Sequence, residues 1–200
     1  TSRGLGDVYK RQTLGGGYDD KLLWDNELIA TYFQRNSQLL ATYKGNNSGS
    51  DLEIELRSFD DYDYSRTSTI SDIAIPASPG INKRYYYFNQ SHSATYNQVF
   101  RVGKNGELGI NAAYLNDQDE RSNQSVTTTL LPDGSKNVVD ERFNGILHRN
   151  IANGNITYMQ NTDRHYIKEQ LKFDWLSTDG HSNILSLIHI SEPTRRRGIS

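Results

Sequence analysis

Arg84-Tyr-Tyr-Tyr-Phe-Asn-Gln-Ser-His-Ser-Ala-Thr-Tyr-Asn-Gln-Val-Phe-Arg-Val102, then Gly103-Lys-Asn-Gly106, then Glu107-Leu-Gly-Ile-Asn-Ala-Ala-Tyr-Leu-Asn116, is the stretch whose reading decides the fold. It reads as two long strands joined by one tight turn, because Gly and Asn tolerate the positive φ angles of a hairpin. On the second strand Leu108, Ile110, Ala112 and Tyr114 fall on one face, with Glu107, Gly109, Asn111 and Ala113 on the other. On the first, Tyr96, Phe100 and Val102 share a face interrupted by Gln98, opposed by Thr95, Asn97 and Arg101, with Val99 the exception. Period-two alternation gives each strand one wet and one apolar face. A soluble sandwich turns the apolar face inward; a membrane barrel turns it outward to lipid.

Working downstream, Leu115 to Leu131 continues as a polar extended segment, and Pro132-Asp-Gly-Ser135 is a turn signal. Val138 to Gln160 returns as a strand, with Gly145 and Asn153-Gly154 expected to bulge or bend. After a tight turn at Asn161 to Arg164, Ile167, Glu169, Leu171, Phe173 and Trp175 alternate with Lys168, Gln170, Lys172 and Asp174. Working upstream, Phe59 to Lys83 is a long polar loop, and Leu52, Ile54 and Leu56 alternate with Asp51, Glu53, Glu55 and Arg57 as a strand would. The segment Gly45-Asn-Asn-Ser-Gly-Ser50 must kink, Gln38 to Lys44 is a strand, and Arg35-Asn36-Ser37 is a turn. Leu22 to Gln34 is apolar on both faces, so strand and short helix both fit, while Thr13 to Asp20, with Gly15 to Gly17, reads as a loop or strand end.

The two termini mirror each other as DNA. Leu185 to Arg195 can be encoded by a strand whose reverse complement encodes Ser2 to Gln12, residue for residue. This resembles a transposon-type sequencing adapter read in from both ends. Such segments are set aside before fold reasoning. The expected organisation is therefore 1–12 adapter-like and non-native, 13–184 a partial outer-membrane β-barrel, and 185–200 adapter-like and non-native.

Composition narrows the classes. The chain has 200 residues, a net charge of -2 and no Cys. Zinc–thiolate sites, disulfide scaffolds and thiol catalysis are thereby excluded, and there is no basic footprint for nucleic acid. Mean hydropathy is -0.76, and no apolar run approaches the ~18 residues of a membrane helix. A barrel escapes that criterion, since lumen and loop residues dilute its apolar band. The 13 Tyr suit strands and the water–lipid boundary.

Side chains with chemistry are scattered. His92, His148, His165 and His181 lack metal-ligand spacing. Asp60-Asp61-Tyr62-Asp63 and Asp117-Gln-Asp119-Glu120 offer oxygens for calcium but not a calcium-loop spacing, and read better as solvated acidic loop. Asp60, Asp61, Tyr62, Asp63, Asp117 and Asp119 are the candidate contacts to an extracellular ligand. Ser, His and Asp occur without a nucleophile-elbow motif, so no catalytic, cofactor or metal residue is assigned and no enzyme is expected. In Tyr85-Tyr-Tyr-Phe88 only alternate rings can share a surface, and a structural role is preferred to a stacking platform.

Tight turns near Asn36, Asn105 and Thr162 alternate with long polar excursions, and the strand pairs exceed the ~5–6 residues of an ordinary strand. That asymmetry belongs to outer-membrane barrels. About six strands are expected, too few to close a large barrel, which leaves two open edges. Arg84-Tyr85, Phe88-Asn89, Ser91-His92, Asn97, the Gly103 to Gly106 turn, Ile110-Asn111, Tyr114 to Asp117 and Glu141 resemble the mid-barrel region of TonB-dependent outer-membrane receptors. The nearest resemblance is to the Bacteroidetes-type receptors with a carboxypeptidase-regulatory-like domain. Tyr158, Asn161, Asp163, Tyr166, Leu171 and Phe173 fit the next hairpin. The resemblance implies a bacterial outer-membrane location and a barrel of about twenty-two strands around a plug. It implies nutrient uptake energised by a periplasmic TonB-type partner through parts not present here, with outer-membrane lipid and an unknown nutrient as further partners. Another outer-membrane barrel, such as an adhesin or barrel enzyme, and a soluble all-β binding module stay open as alternatives.

Overall fold

A computed structural model describes residues 7–18, 21–56, 80–81, 88–132 and 135–191. It is a single antiparallel meander of seven strands in sequence order: β1 (Asp7–Tyr18), β2 (Leu22–Gln34), β3 (Ser37–Asn46), β4 (Phe88–Val102), β5 (Gly106–Leu130), β6 (Lys136–Asn161) and β7 (Tyr166–Ser191). The sheet does not close on itself among the described residues, and β1 and β7 are its open edges.

The all-β antiparallel expectation holds; the strand count is seven rather than six. The added strand is β1, so Thr13 to Tyr18 is not a loop: it pairs with Leu22 to Glu27. Both adapter-like stretches enter the sheet at its edges, Asp7–Gln12 against Leu28–Phe33 and Leu185–Ser191 against Arg142–Lys136. An edge strand presents a row of unpaired N–H and C=O groups to whatever backbone lies beside it, largely regardless of side chains. Segment Leu22 to Gln34 is strand, because β1 and β3 pair with both its edges.

Two further expectations are corrected. Leu52 to Leu56 is not a strand: Glu53–Leu56 is a 3₁₀ turn. Gly49, at φ 83°, turns the chain back, and Asp51 accepts the Glu53 N–H at 3.0 Å. Apolar residues four apart fit a helical turn as well as a strand; Leu52 and Leu56 are buried while Ile54 is exposed. Nor do Gly145 and Asn153-Gly154 bulge, since the β5–β6 and β6–β7 registers run one-to-one throughout. Gly154 lies opposite Phe173, whose Cβ is 3.9 Å from where a Gly154 Cβ would be. The missing side chain leaves that space to the ring.

The β2–β3, β4–β5 and β6–β7 connections are all short and lie at one end. Arg101 N donates to Asn36 O at 2.9 Å, which ties the β2–β3 and β4–β5 turns together. Thr162 closes the β6–β7 turn through its backbone N–H and its hydroxyl, both on His165 O. Gly103 has φ +68°, and a Cβ on Gly106 would stand 2.5 Å from Val102 O. Gly106→Ala must therefore open the β4–β5 turn, whereas Gly103→Ala only takes on left-handed strain of ~1–2 kcal/mol. Urea unfolding followed by circular dichroism should show the larger loss for Gly106→Ala and near-recovery for Gly103→Asn.

Candidate functional site

Residues paired directly across an antiparallel ladder share a face. With every register unbroken, the two faces can be followed across the sheet. The open face carries Leu28, Ala30 and Tyr32 on β2; Leu39, Ala41 and Tyr43 on β3; and Ala94, Tyr96, Gln98, Phe100 and Val102 on β4. It continues as Leu108, Ile110, Ala112 and Tyr114 on β5, Ala152, Ile156 and Tyr158 on β6, and Ile167, Leu171, Phe173 and Trp175 on β7, where Glu169, opposite Tyr158, is a charge within the same row. These side chains stand in the open: Leu171 is 68%, Phe173 61% and Trp175 46% exposed. Gln98, polar within this belt, is satisfied there by the Tyr96 hydroxyl and by donating to Ser37 Oγ at 3.3 Å. Trp24, Tyr43 and His92 converge over Gly45 near one margin, with Tyr43 Oη 2.8 Å from His92 Nδ1.

The opposite face is polar and covered by the segment Asn47 to Leu56. One row crosses six strands: Asp25, Asn46, Ser91, Asp117, Arg149 and Thr178. Its centre is a continuous hydrogen-bonded chain. Asn89 Nδ2 donates toward Asn46 Oδ1 at 3.0 Å, Ser50 O at 3.2 Å and Ser91 Oγ at 2.6 Å. Two N–H bonds serve three acceptors, so one is shared. Ser91 Oγ donates to Asp117 Oδ1 at 2.6 Å, and Arg149 donates to Asp117 Oδ2 through Nε and Nη2. Arg149 Nη1 also lies 3.5 Å from Glu53 Oε2, on the covering segment. Gly49 N donates to Asn89 Oδ1 at 2.9 Å. The covering segment is thus bound to the sheet wall by backbone, amide and ionic contacts, and by Leu52 and Leu56 packing on Leu115 and Ile151. Lys44, beside this row, bridges Glu27 at 3.2 Å and Glu55 at 2.9 Å.

Of the candidate ligand contacts, Asp60, Asp61, Tyr62 and Asp63 lie outside the described residues. Asp117 and Asp119 do not sit in a solvated loop: they are 3% and 2% exposed, on the covered face of β5. The strand splits the run Asp117-Gln-Asp-Glu120, sending Gln118 and Glu120 to the open face. Asp119 is held by Arg121 Nη2 at 2.6 Å. The sequence reading missed Arg149, Asn89, Ser91, Asn46 and Glu53. The available signal was the i, i+2 spacing of Asn89 with Ser91 and of Asp117 with Asp119, which places each pair on one face.

The site is an anchoring network. His92, His148, His181 and His189 all fall on the open face, away from Ser91 and Asp117. Among the described residues no His, Asp, Glu and Cys side chains group as a metal site would require. Among the described residues, four buried polar atoms on the covered face lack a partner: Ser93 Oγ, Asn137 Oδ1, Asn153 Oδ1 and Thr178 Oγ1.

Arg149→Met would strip Asp117 of its buried cation, which typically costs ~3–5 kcal/mol. The double variant Arg149→Met with Asp117→Leu should recover most of that loss, because the buried carboxylate goes with its cation and Glu53, the other acid beside Arg149, is partly exposed to water. Urea midpoints of the two variants test this. No family model matches the chain, and no curated protein or solved structure is significantly similar to it.

Proposed function

We propose that the chain is a stretch of the wall of an outer-membrane β-barrel of the TonB-dependent receptor kind, with its open face toward lipid and its covered face toward the lumen. Its function on this reading is uptake of a nutrient too large for porins, and it has no catalytic residue. One observation carries the reading: the polarity of the sheet is inverted, apolar on the open face and polar on the covered one.

In water, an exposed apolar surface running across six strands would be a large standing penalty, since soluble monomers rarely expose patches beyond a few hundred Å². In a bilayer the same belt is the stable arrangement. From Ile167 to Trp175 it follows about eight residues of strand, interrupted by Glu169, ~27 Å of length, which a ~40° tilt reduces to ~20 Å. That is close to the ~25 Å apolar band of outer-membrane barrels. Trp24, Tyr43, Tyr114 and Trp175 gather toward one margin, and Tyr32, Phe100 and Tyr158 toward the other, as interfacial aromatics do. At one end all three connections are short, and the longest connection, between β3 and β4, lies at the other, which supports the same reading.

Leu171→Arg tests it. In the middle of a lipid-facing belt the substitution costs ~2–4 kcal/mol of folding free energy in bilayer vesicles, measured by urea titration of the vesicle-bound chain. A loss below ~0.5 kcal/mol, as at an ordinary surface site in water, removes lipid from the account and leaves a soluble sheet whose open face meets another protein layer.

A further inference from the structure

We propose that Asn105, in the β4–β5 turn, is a site of spontaneous covalent modification: its side-chain amide is lost as ammonia through attack by the backbone nitrogen of Gly106. The chain has three Asn-Gly pairs, Asn105-Gly106, Asn144-Gly145 and Asn153-Gly154. Asn is a chemically labile side chain, and a following Gly, with no Cβ, gives its nitrogen the freest approach. The sequence ranks the three pairs equally; the fold separates them.

The step needs only water as co-reactant. The Gly106 nitrogen adds to Asn105 Cγ, and the new N–C bond closes a succinimide ring. The bond from Cγ to the amide nitrogen breaks, and the Gly106 proton leaves with that nitrogen as ammonia. Water then opens the ring at either carbonyl. One opening gives Asp at position 105; the other gives an isoaspartyl link, in which the main chain runs through the former side chain. Nothing is oxidised or reduced.

Attack requires the Gly nitrogen to leave its ladder and the Asn to leave the extended conformation. Asn144, Gly145, Asn153 and Gly154 are interior residues of β6, paired on both sides, to β5 and to β7. They are released only when the body of the sheet opens. Asn105 is exposed and belongs to no strand. Gly106 is the first residue of β5 and the end residue of both its ladders, opposite Val102 and Gln160, so fraying of two end pairs frees its nitrogen. Turns and strand ends open at far lower cost than ladder interiors. An isoaspartyl link also lengthens the main chain beside the 2.9 Å bond from Asn161 N to Asn105 O, which joins the β4–β5 turn to the end of β6. The modification therefore alters the point where two hairpins meet.

The test incubates the whole folded chain in mildly alkaline buffer and follows three tryptic peptides by mass spectrometry: Asn105–Arg121, Phe143–Arg149 and Asn150–Arg164. The first should convert, splitting into Asp and isoaspartyl forms, at least ~10-fold faster than the other two, which must wait for the ladder interior to open. In urea, where no ladder holds any of the three pairs, the rates should converge. Similar rates in the folded chain, or a slower Asn105, overturn the site. A rate order that persists unchanged in urea overturns the role given to the fold. Conversion to Asp with no isoaspartyl form overturns attack by Gly106 in favour of direct hydrolysis. Asn105→Ser should abolish the change in the first peptide; a mass increase that survives there belongs to Asn111 or Asn116 and also overturns the site.

Discussion

The structure depends on an unbroken pairing register. In a sheet, a slip of one residue carries every side chain of a strand to the opposite face. Here no bulge interrupts any of the six ladders, so the assignment of faces made in the central hairpin propagates from β2 to β7. Tyr96 meets Ala41 and Ala112 on one side of the sheet while Ser91 meets Asn46 and Asp117 on the other. Neither the belt nor the polar row exists within any single strand.

Much of the fold was legible because the relevant chemistry is local. The alternation of Ile167 to Trp175 gave β7, Gly103 to Gly106 gave the central turn, and Asn161 to Arg164 gave the next one. Leu52 to Leu56 misled because three apolar residues at i, i+2 and i+4 satisfy a strand and nearly satisfy a helical turn. The chain chose the turn because Gly49 and Asp51 prepared it and Leu115 and Ile151 offered a surface for Leu52 and Leu56. β1 was missed because its side chains are exposed throughout; its pairing is backbone chemistry, which leaves little pattern in a sequence.

The candidate site was half legible. Asp117 and Asp119 were singled out as acidic residues, but their surroundings were inferred from the neighbouring Gln118 and Glu120, which point the other way. Arg149 is 32 residues from Asp117 in the chain, and Asn46 is 43 from Asn89. Such partners become visible only once the register is known. The covering segment follows the same logic. Its polar groups reach Asn89 and Arg149 because the wall already presents an amide and a guanidinium at matching height, and its two leucines fill the apolar gap the row leaves at Leu115 and Ile151.

The placement of the aromatic residues has a spectroscopic consequence. Both tryptophans of the chain, Trp24 and Trp175, belong to the open face. The protein therefore carries a built-in optical reporter of that face, blind to events on the other. Covering the open face with any apolar layer moves their emission to shorter wavelength. Brominated acyl chains would quench Trp175 by direct contact, whereas a protein layer would shield it from them. The emission of the unlabelled chain thus distinguishes lipid from protein as the neighbour of this surface.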